Sequence, residues 1–218
     1  MAPPASRQAL RAMANRSLAE LAAADGASLR ASLARSLEAA QRLGDAQFVA
    51  WMMAPVIWEN YFSLGRWDEA LEKLAAVIRD VERAGGSYMQ SNFYVERAMI
   101  LASRGRDAEA QADLDLAVAF LETNRDIQFQ ASLLTAAVPV YDILGDRARA
   151  AALLDRLLGI GRPTTTFAPP LLADTVIAIA RHGYGGRFLE RFAGALPHRR
   201  FDAACLVWTG RAVEAADI

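Results

Sequence analysis

The chain has 218 residues, 54% of them hydrophobic, and a formal net charge of −1. Such a composition supports a large buried core and excludes a disordered protein. Nucleic acid is excluded as a direct partner, because its binding requires a basic patch that neutralises phosphates. The single cysteine, Cys205, excludes an intrachain disulfide and a cysteine-based metal site.

The N-terminal residues 1–7 carry no continuous apolar stretch after their first charge, which argues against a signal peptide. The longest uncharged stretch, 127–141, is shorter than the roughly 20 residues that a membrane-spanning helix needs. The sequence therefore predicts a cytoplasmic protein that makes no contact with a membrane.

In chain order, apolar residues recur at spacings of three and four, which predicts amphipathic helices rather than strands. The predicted helices cover 4–24, 27–43, 46–64, 66–84, 87–104, 106–123, 126–144, 146–159, 170–184, 186–195 and 197–208. These form helix pairs at about 4–43, 46–84, 87–123, 126–159 and 170–195, followed by an incomplete pair at 197–218. Three threonines flanked by prolines predict a loop at 159–170. One helical-repeat domain over 1–218 is expected, and the incomplete last pair favours a piece of a longer protein.

The helix pairs repeat with a fixed period. Glycines recur at intervals of 40, at Gly65, Gly105, Gly145 and Gly185. The phrase Gly-Arg-x-x-Glu-Ala begins at Gly65 and Gly105, and again at Gly210 after a shorter gap. Each glycine lies between two helical stretches, where a positive φ angle ends one helix before the next begins. The repeating unit is therefore helix, tight turn, helix.

These residues resemble tetratricopeptide repeats. That family places a small residue and an aromatic residue in the first helix, and an alanine followed by a large apolar residue in the second. Ala70, Ala110 and Ala150 match the alanine, and Leu74, Leu114 and Leu154 follow it. Tyr61 and Tyr141 match the aromatic position, where the second repeat has Leu101 and the fourth Arg181. The resemblance implies an all-α, right-handed α-solenoid of stacked antiparallel helix pairs, with repeats of about 40 residues.

Longer repeats of this kind are similar to the helical regions of large bacterial signalling proteins. Those proteins also carry an ATPase module, and they end in a DNA-binding domain or begin with an adenylate cyclase domain. The resemblance therefore implies a protein- or peptide-binding scaffold or sensor module in a bacterial regulatory protein. The partner is expected to be another protein or another domain of the same protein, with self-association through exposed terminal helices as a further expectation.

Carried over from the family, the groove-facing positions lie on the first helix of each pair. They are Met52, Pro55, Glu59, Phe62, Asn92, Val95, Met99, Ser132, Thr135, Asp142, Thr175, Ile179 and His182. This mostly apolar wall suits an amphipathic helix or an extended apolar peptide. The alternative function is a small-molecule sensor, in which an apolar pocket takes an inducer and shifts a larger regulator between states.

Catalytic, cofactor-binding and metal-binding residues are not predicted. Only two histidines occur, His182 and His198, and they have no cysteine or paired carboxylate beside them. Acidic pairs such as Asp113 with Asp115 lie two residues apart, so on a helix they point in different directions. The sequence therefore indicates a protein that is not an enzyme and needs no cofactor.

Overall fold

A computed structural model describes residues 6, 8–13, 26–87, 89–160 and 173–192. Every regular element in these ranges is helical, as predicted, and none of the described residues lies in a strand. Residues 8–13 are helical. The helices that follow are α1 (Gly26–Arg42), α2 (Ala46–Ile57), α3 (Trp67–Arg83), α4 (Gln90–Ser103), α5 (Asp107–Thr123), α6 (Ile127–Ile143), α7 (Arg147–Gly159), α8 (Ala173–Arg181) and α9 (Gly185–Phe192). A π-helical turn, Trp58–Phe62, continues α2 directly.

When the π-helical turn is counted as the end of α2, the helices from α1 to α9 begin and end within three residues of the predicted bounds. Most of the predicted helix 4–24, the loop 159–170 and the segment 197–218 lies outside the described residues, as do Cys205 and His198. Described helices up to 17 residues long occur, but none is both long and apolar enough to cross a membrane.

The same hydrogen-bonded corner joins successive helices at Gly44, Gly65, Gly105, Gly145 and Gly183, whose φ angles lie between 66° and 73°. At Gly65, the glycine N–H donates to the Phe62 carbonyl, and the Arg66 N–H donates to the Tyr61 carbonyl over 2.8 Å. These paired bonds satisfy carbonyls that the end of a helix leaves open, and they require the left-handed conformation that glycine adopts without strain.

Side chains after the glycine explain the recurring phrase. Arg66 precedes α3 and pairs through two hydrogen bonds with Glu69 in the first helical turn. Arg106 pairs with Glu109 in the same way, over 2.7 and 2.6 Å. The alanine that ends the phrase is fully buried in α3, α5 and α7, and so is the leucine four residues later. The predicted core positions of the second helices are confirmed.

The prediction for the fourth glycine was wrong. Gly183, with a φ of 72°, forms the corner between α8 and α9, whereas Gly185 is the first residue of α9. The Tyr184 N–H bonds to the carbonyl of Ile179, which is fully buried. A corner at Gly185 would move Arg181 into that buried position, and burying an unpaired guanidinium costs far more than burying an isoleucine.

The chain divides into two compact units, Met1–Ile100 and Leu101–Ile218. In the first unit, α2 contacts α1 and α3. In the second unit, α6 contacts α5, α7 and α8, and α7 contacts α9. The Thr175 hydroxyl of α8 donates to the Thr135 carbonyl of α6 over 3.0 Å, so these first helices of successive pairs lie side by side. The single repeat domain over 1–218 stays a prediction.

Candidate binding groove

An open groove of about 550 Å³ lies in the first unit, over α2 and along α3. Its floor is formed by Ala46, Ala50 and Met53 of α2, and its long wall by one face of α3. That face presents Lys73, Ala76, Val77, Asp80, Val81 and Ala84. The opposite edge includes Gln41 at the end of α1 and Gly44 in the corner that follows. Because most of these side chains are small and apolar, the groove is a shallow trough with a few polar points along its rim.

The polar end of the groove is held by hydrogen bonds between the α3–α4 connection and the start of α2. The Ser87 hydroxyl lies 2.7 Å from the Gln47 Oε1, and the Gln47 amide nitrogen lies 3.4 Å from the Gly86 carbonyl. Ser87 is buried, and its hydroxyl also accepts from the Met89 N–H over 3.2 Å. This end of the groove is therefore held by one bond between two side chains and one from a side chain to a backbone carbonyl.

Two acidic side chains of α3 already have arginine partners. Glu69 bonds Arg66, and this hydrogen bond lowers the pKa of Glu69, with the nearby Lys73 charge acting in the same direction. Asp80 is paired with Arg83. Lys73, the only lysine of the chain, makes no ion pair with any described residue. The groove rim therefore keeps one positive charge without a direct counterion among the described residues.

The corresponding clefts in the second unit are crossed by arginines. Between α5 and α7, Arg149 lies 3.3 Å from Asp115, and Arg156 bonds both Glu122 and the Leu121 carbonyl, over 2.9 and 2.8 Å. Between α7 and α9, an equivalent pair joins Arg187 to Asp155 over 2.7 Å. Hydrogen bonding to Arg187 lowers the pKa of Asp155.

These bridges occupy fixed positions relative to the corner glycines. Arg149 and Arg187 each lie four residues after their glycine, and the glutamate Glu69 stands at that position in α3. Arg156 lies eleven residues after Gly145, and Ala76 stands at that position in α3. Neither bridging arginine is present in α3, nor in α5, where Glu109 and Leu116 stand at these positions, so the groove lacks the bridges that α7 provides in the second unit.

The predicted groove residues of the first unit divide into buried and partly exposed sets. Met52, Val95 and Met99 are buried, whereas Pro55, Glu59, Phe62 and Asn92 are partly exposed. Phe62 stacks between two tryptophans, with ring centroids 4.0 Å from Trp58 and 5.9 Å from Trp67. None of these seven residues lines the open groove.

In the second unit, Thr135, Thr175 and Ile179 are buried, and Ser132, Asp142 and His182 are partly exposed. Asp142 accepts from Arg181 over 2.7 Å and lies 3.1 Å from the His182 ring nitrogen. The Asp142 carboxylate therefore already has two partners within its own unit. A binding role for these residues stays a prediction.

Sequence reasoning missed the groove itself. Its defining features are Ala76, an unremarkable alanine, and Lys73, which the composition alone marked as unique. The signal that identifies it is a difference at one position: once the second helices are aligned on their corner glycines, Ala76 stands where α5 has Leu116 and α7 has Arg156.

Glu96 of α4 is a second feature that the sequence did not mark. The residue is partly exposed, but its Oε2 is shut off from solvent and has no hydrogen-bond partner among the described residues. Burial raises the pKa of this carboxyl well above its usual range. Glu96 does not line the groove.

No group of three or more histidine, cysteine, aspartate or glutamate side chains that could hold a metal ion occurs among the described residues. The chain matches no protein-family model, and no curated protein or solved structure matches it significantly.

Proposed function

We propose that this protein is a non-catalytic binding module that holds a protein or peptide partner, as part of a bacterial regulatory protein. The observation that carries the proposal is the open, mostly apolar groove along α3, with hydrogen-bonded polar groups at one end. An open trough of this kind accepts the side chains of a polypeptide that remains partly in solvent.

The proposal includes a tetratricopeptide-like solenoid architecture. Three features support it: corners of the same geometry, an alanine and a leucine buried at the same place in α3, α5 and α7, and the bond between Thr175 and Thr135, 40 residues apart. Helix pairs that share these features stack on one another in repeat proteins, because one pair cannot bury its apolar face alone.

A small-molecule sensor is the second candidate, because a volume of about 550 Å³ falls within the range of ligand pockets. Such pockets bury most of their ligand, and the openness of this groove favours the polypeptide.

The two candidates separate in one experiment. A displayed peptide library, containing both helical and extended designs, is selected against the full chain, and a metabolite collection is tested for thermal stabilisation. Selected peptides should lose binding to the variant Ala76→Arg, which fills the groove, and should keep binding to Leu116→Arg, the same helical position in α5. A metabolite that stabilises the chain, together with no selected peptide, would establish the sensor instead.

A further inference from the structure

The groove has the length of a helix rather than of a single side chain. Along α3 and its cap residue it runs from Lys73 to Ala84, eleven helical steps and therefore roughly 16 Å. The residues of this wall recur at spacings of three and four, and the floor residues Ala46, Ala50 and Met53 do the same. These two helices thus line the groove with alanines, Ala46 and Ala50 of α2 and Ala76 of α3, set among larger side chains.

Small side chains along both helices let a third backbone approach closely, because the distance between packed helix axes depends on the side chains at the contact. An extended peptide would leave its backbone N–H and C=O groups facing apolar walls that offer few hydrogen-bond partners. A helix satisfies its own backbone groups, and its apolar face then covers the trough.

Charge gives the chemistry of the partner. Glu69 is paired with Arg66 at the start of α3, and Asp80 with Arg83. The ammonium group of Lys73 has no ion pair with any described residue and acts on Glu69 only as a nearby charge. A carboxylate placed at this end of the groove complements the only unpaired charge on its wall.

We infer that the groove binds an acidic amphipathic helix of a protein partner, with small apolar residues in the trough and a carboxylate at Lys73. The inference rests on the proposed function and gives its partner a chemical class. The positive charge of Lys73 then determines which helices bind, and the short side chain of Ala76 leaves the space that the bound helix occupies.

The experiment uses the full chain and designed helical peptides of about 18 residues, a length at which helices begin to form in water. All share one alanine- and leucine-rich face. Two carry glutamates in the first or the last turn, because a helix can enter the groove in either direction, and two matched peptides carry lysines there. Affinity is measured by fluorescence anisotropy on wild type, Lys73→Glu, Lys73→Arg, Ala76→Arg and Leu116→Arg.

Wild type should prefer one acidic peptide over its basic counterpart by roughly tenfold, and Lys73→Glu should reverse the preference. The preference should persist in Lys73→Arg and fade at 1 M salt, where the screening length is only about 3 Å. Ala76→Arg should lose binding of every peptide at least tenfold, and Leu116→Arg should behave as wild type. Circular dichroism and thermal unfolding check that each variant is folded.

Each other result overturns the inference. Peptides that bind equally whatever their charge, with the same affinity for Lys73→Glu, would remove the role of Lys73 but leave the proposed function standing. If selected extended peptides bind and lose binding to Ala76→Arg, and no designed helix binds, the occupant of the groove is an extended peptide rather than a helix. Decanoate, a small aliphatic carboxylate, is the test ligand for the sensor. If it stabilises the wild type but not Lys73→Glu, and no variant binds any peptide, both proposals are overturned in favour of an aliphatic carboxylate ligand.

Discussion

The cleft between α1 and α3 in the first unit differs from the cleft between α5 and α7 in the second. Both units use the same glycine corner and the same buried alanine and leucine in their second helices. In the second unit, Arg149 and Arg156 reach across to α5, whereas Glu69 and Ala76 stand at those positions in α3. The backbone geometry of the corners is therefore shared, and the two clefts differ in the side chains at these two positions.

The aromatic position before the corner separates the two units most strongly. Tyr141 is 2% exposed, whereas Tyr61 lies in the π-helical turn and is only partly buried. We expect Tyr141→Ala to destabilise the protein by roughly 3–5 kcal/mol through the cavity it leaves, and Tyr61→Ala to cost clearly less. Urea unfolding of both variants measures the difference. Equal losses of stability would show that the two tyrosines are packed alike and would contradict the difference between the two units.

The buried alanine is the feature that the two units share. Ala70→Leu and Ala110→Leu should each cost about 1–3 kcal/mol, because added methyl groups have no space against the preceding helix. Ala112→Leu, on an exposed position of α5, is the matched control and should be nearly neutral. Thermal unfolding that leaves the two buried variants unchanged would refute the common packing.

The last corner tests which glycine turns the chain. Gly183→Ala should cost about 1–2 kcal/mol, because its φ of 72° strains any residue with a Cβ atom. Gly186→Ala should be neutral or stabilising by up to about 1 kcal/mol, since this exposed helical glycine has open space around its Cβ position. Chemical denaturation measures both variants. If Gly186→Ala costs more stability than Gly183→Ala, the corner lies at the later glycines.

The smallest expected effect concerns the exposed bridge between α7 and α9. Because Arg187 lowers the folded pKa of Asp155, the bridge stabilises the protein above the usual aspartate pKa and loses this contribution as the pH falls through the folded value. Arg187→Gln should therefore lower stability slightly at neutral pH and leave it unchanged below the folded pKa, which flattens the acid side of the stability profile. Unfolding midpoints of the wild type and the variant between pH 3 and 7 measure this change. If the two stability profiles are the same, the bridge contributes nothing.

Helix bounds and most corners were predictable, because periodicity and glycine spacing report backbone geometry directly. The interval of 40 gave the wrong glycine at Gly185 because counting intervals ignores burial. The residue four positions before the corner glycine is buried, and this position suits Ile179 rather than Arg181, which places the corner at Gly183. The groove was not predictable from any motif. The groove depends on the short side chain of Ala76, which does not reach across it. Its charge depends on Glu69 and Asp80, which are each paired with an arginine, so that Lys73 has no ion pair among the described residues.

The corner geometry has a consequence for how the chain opens. The amide that follows each corner glycine donates to a carbonyl of the preceding helix, so it is protected although it lies in a turn. Its exchange with deuterated solvent requires that one corner to separate. The amides of Asp45, Arg66, Arg106, Asp146 and Tyr184 therefore each report the opening of the one corner that they follow.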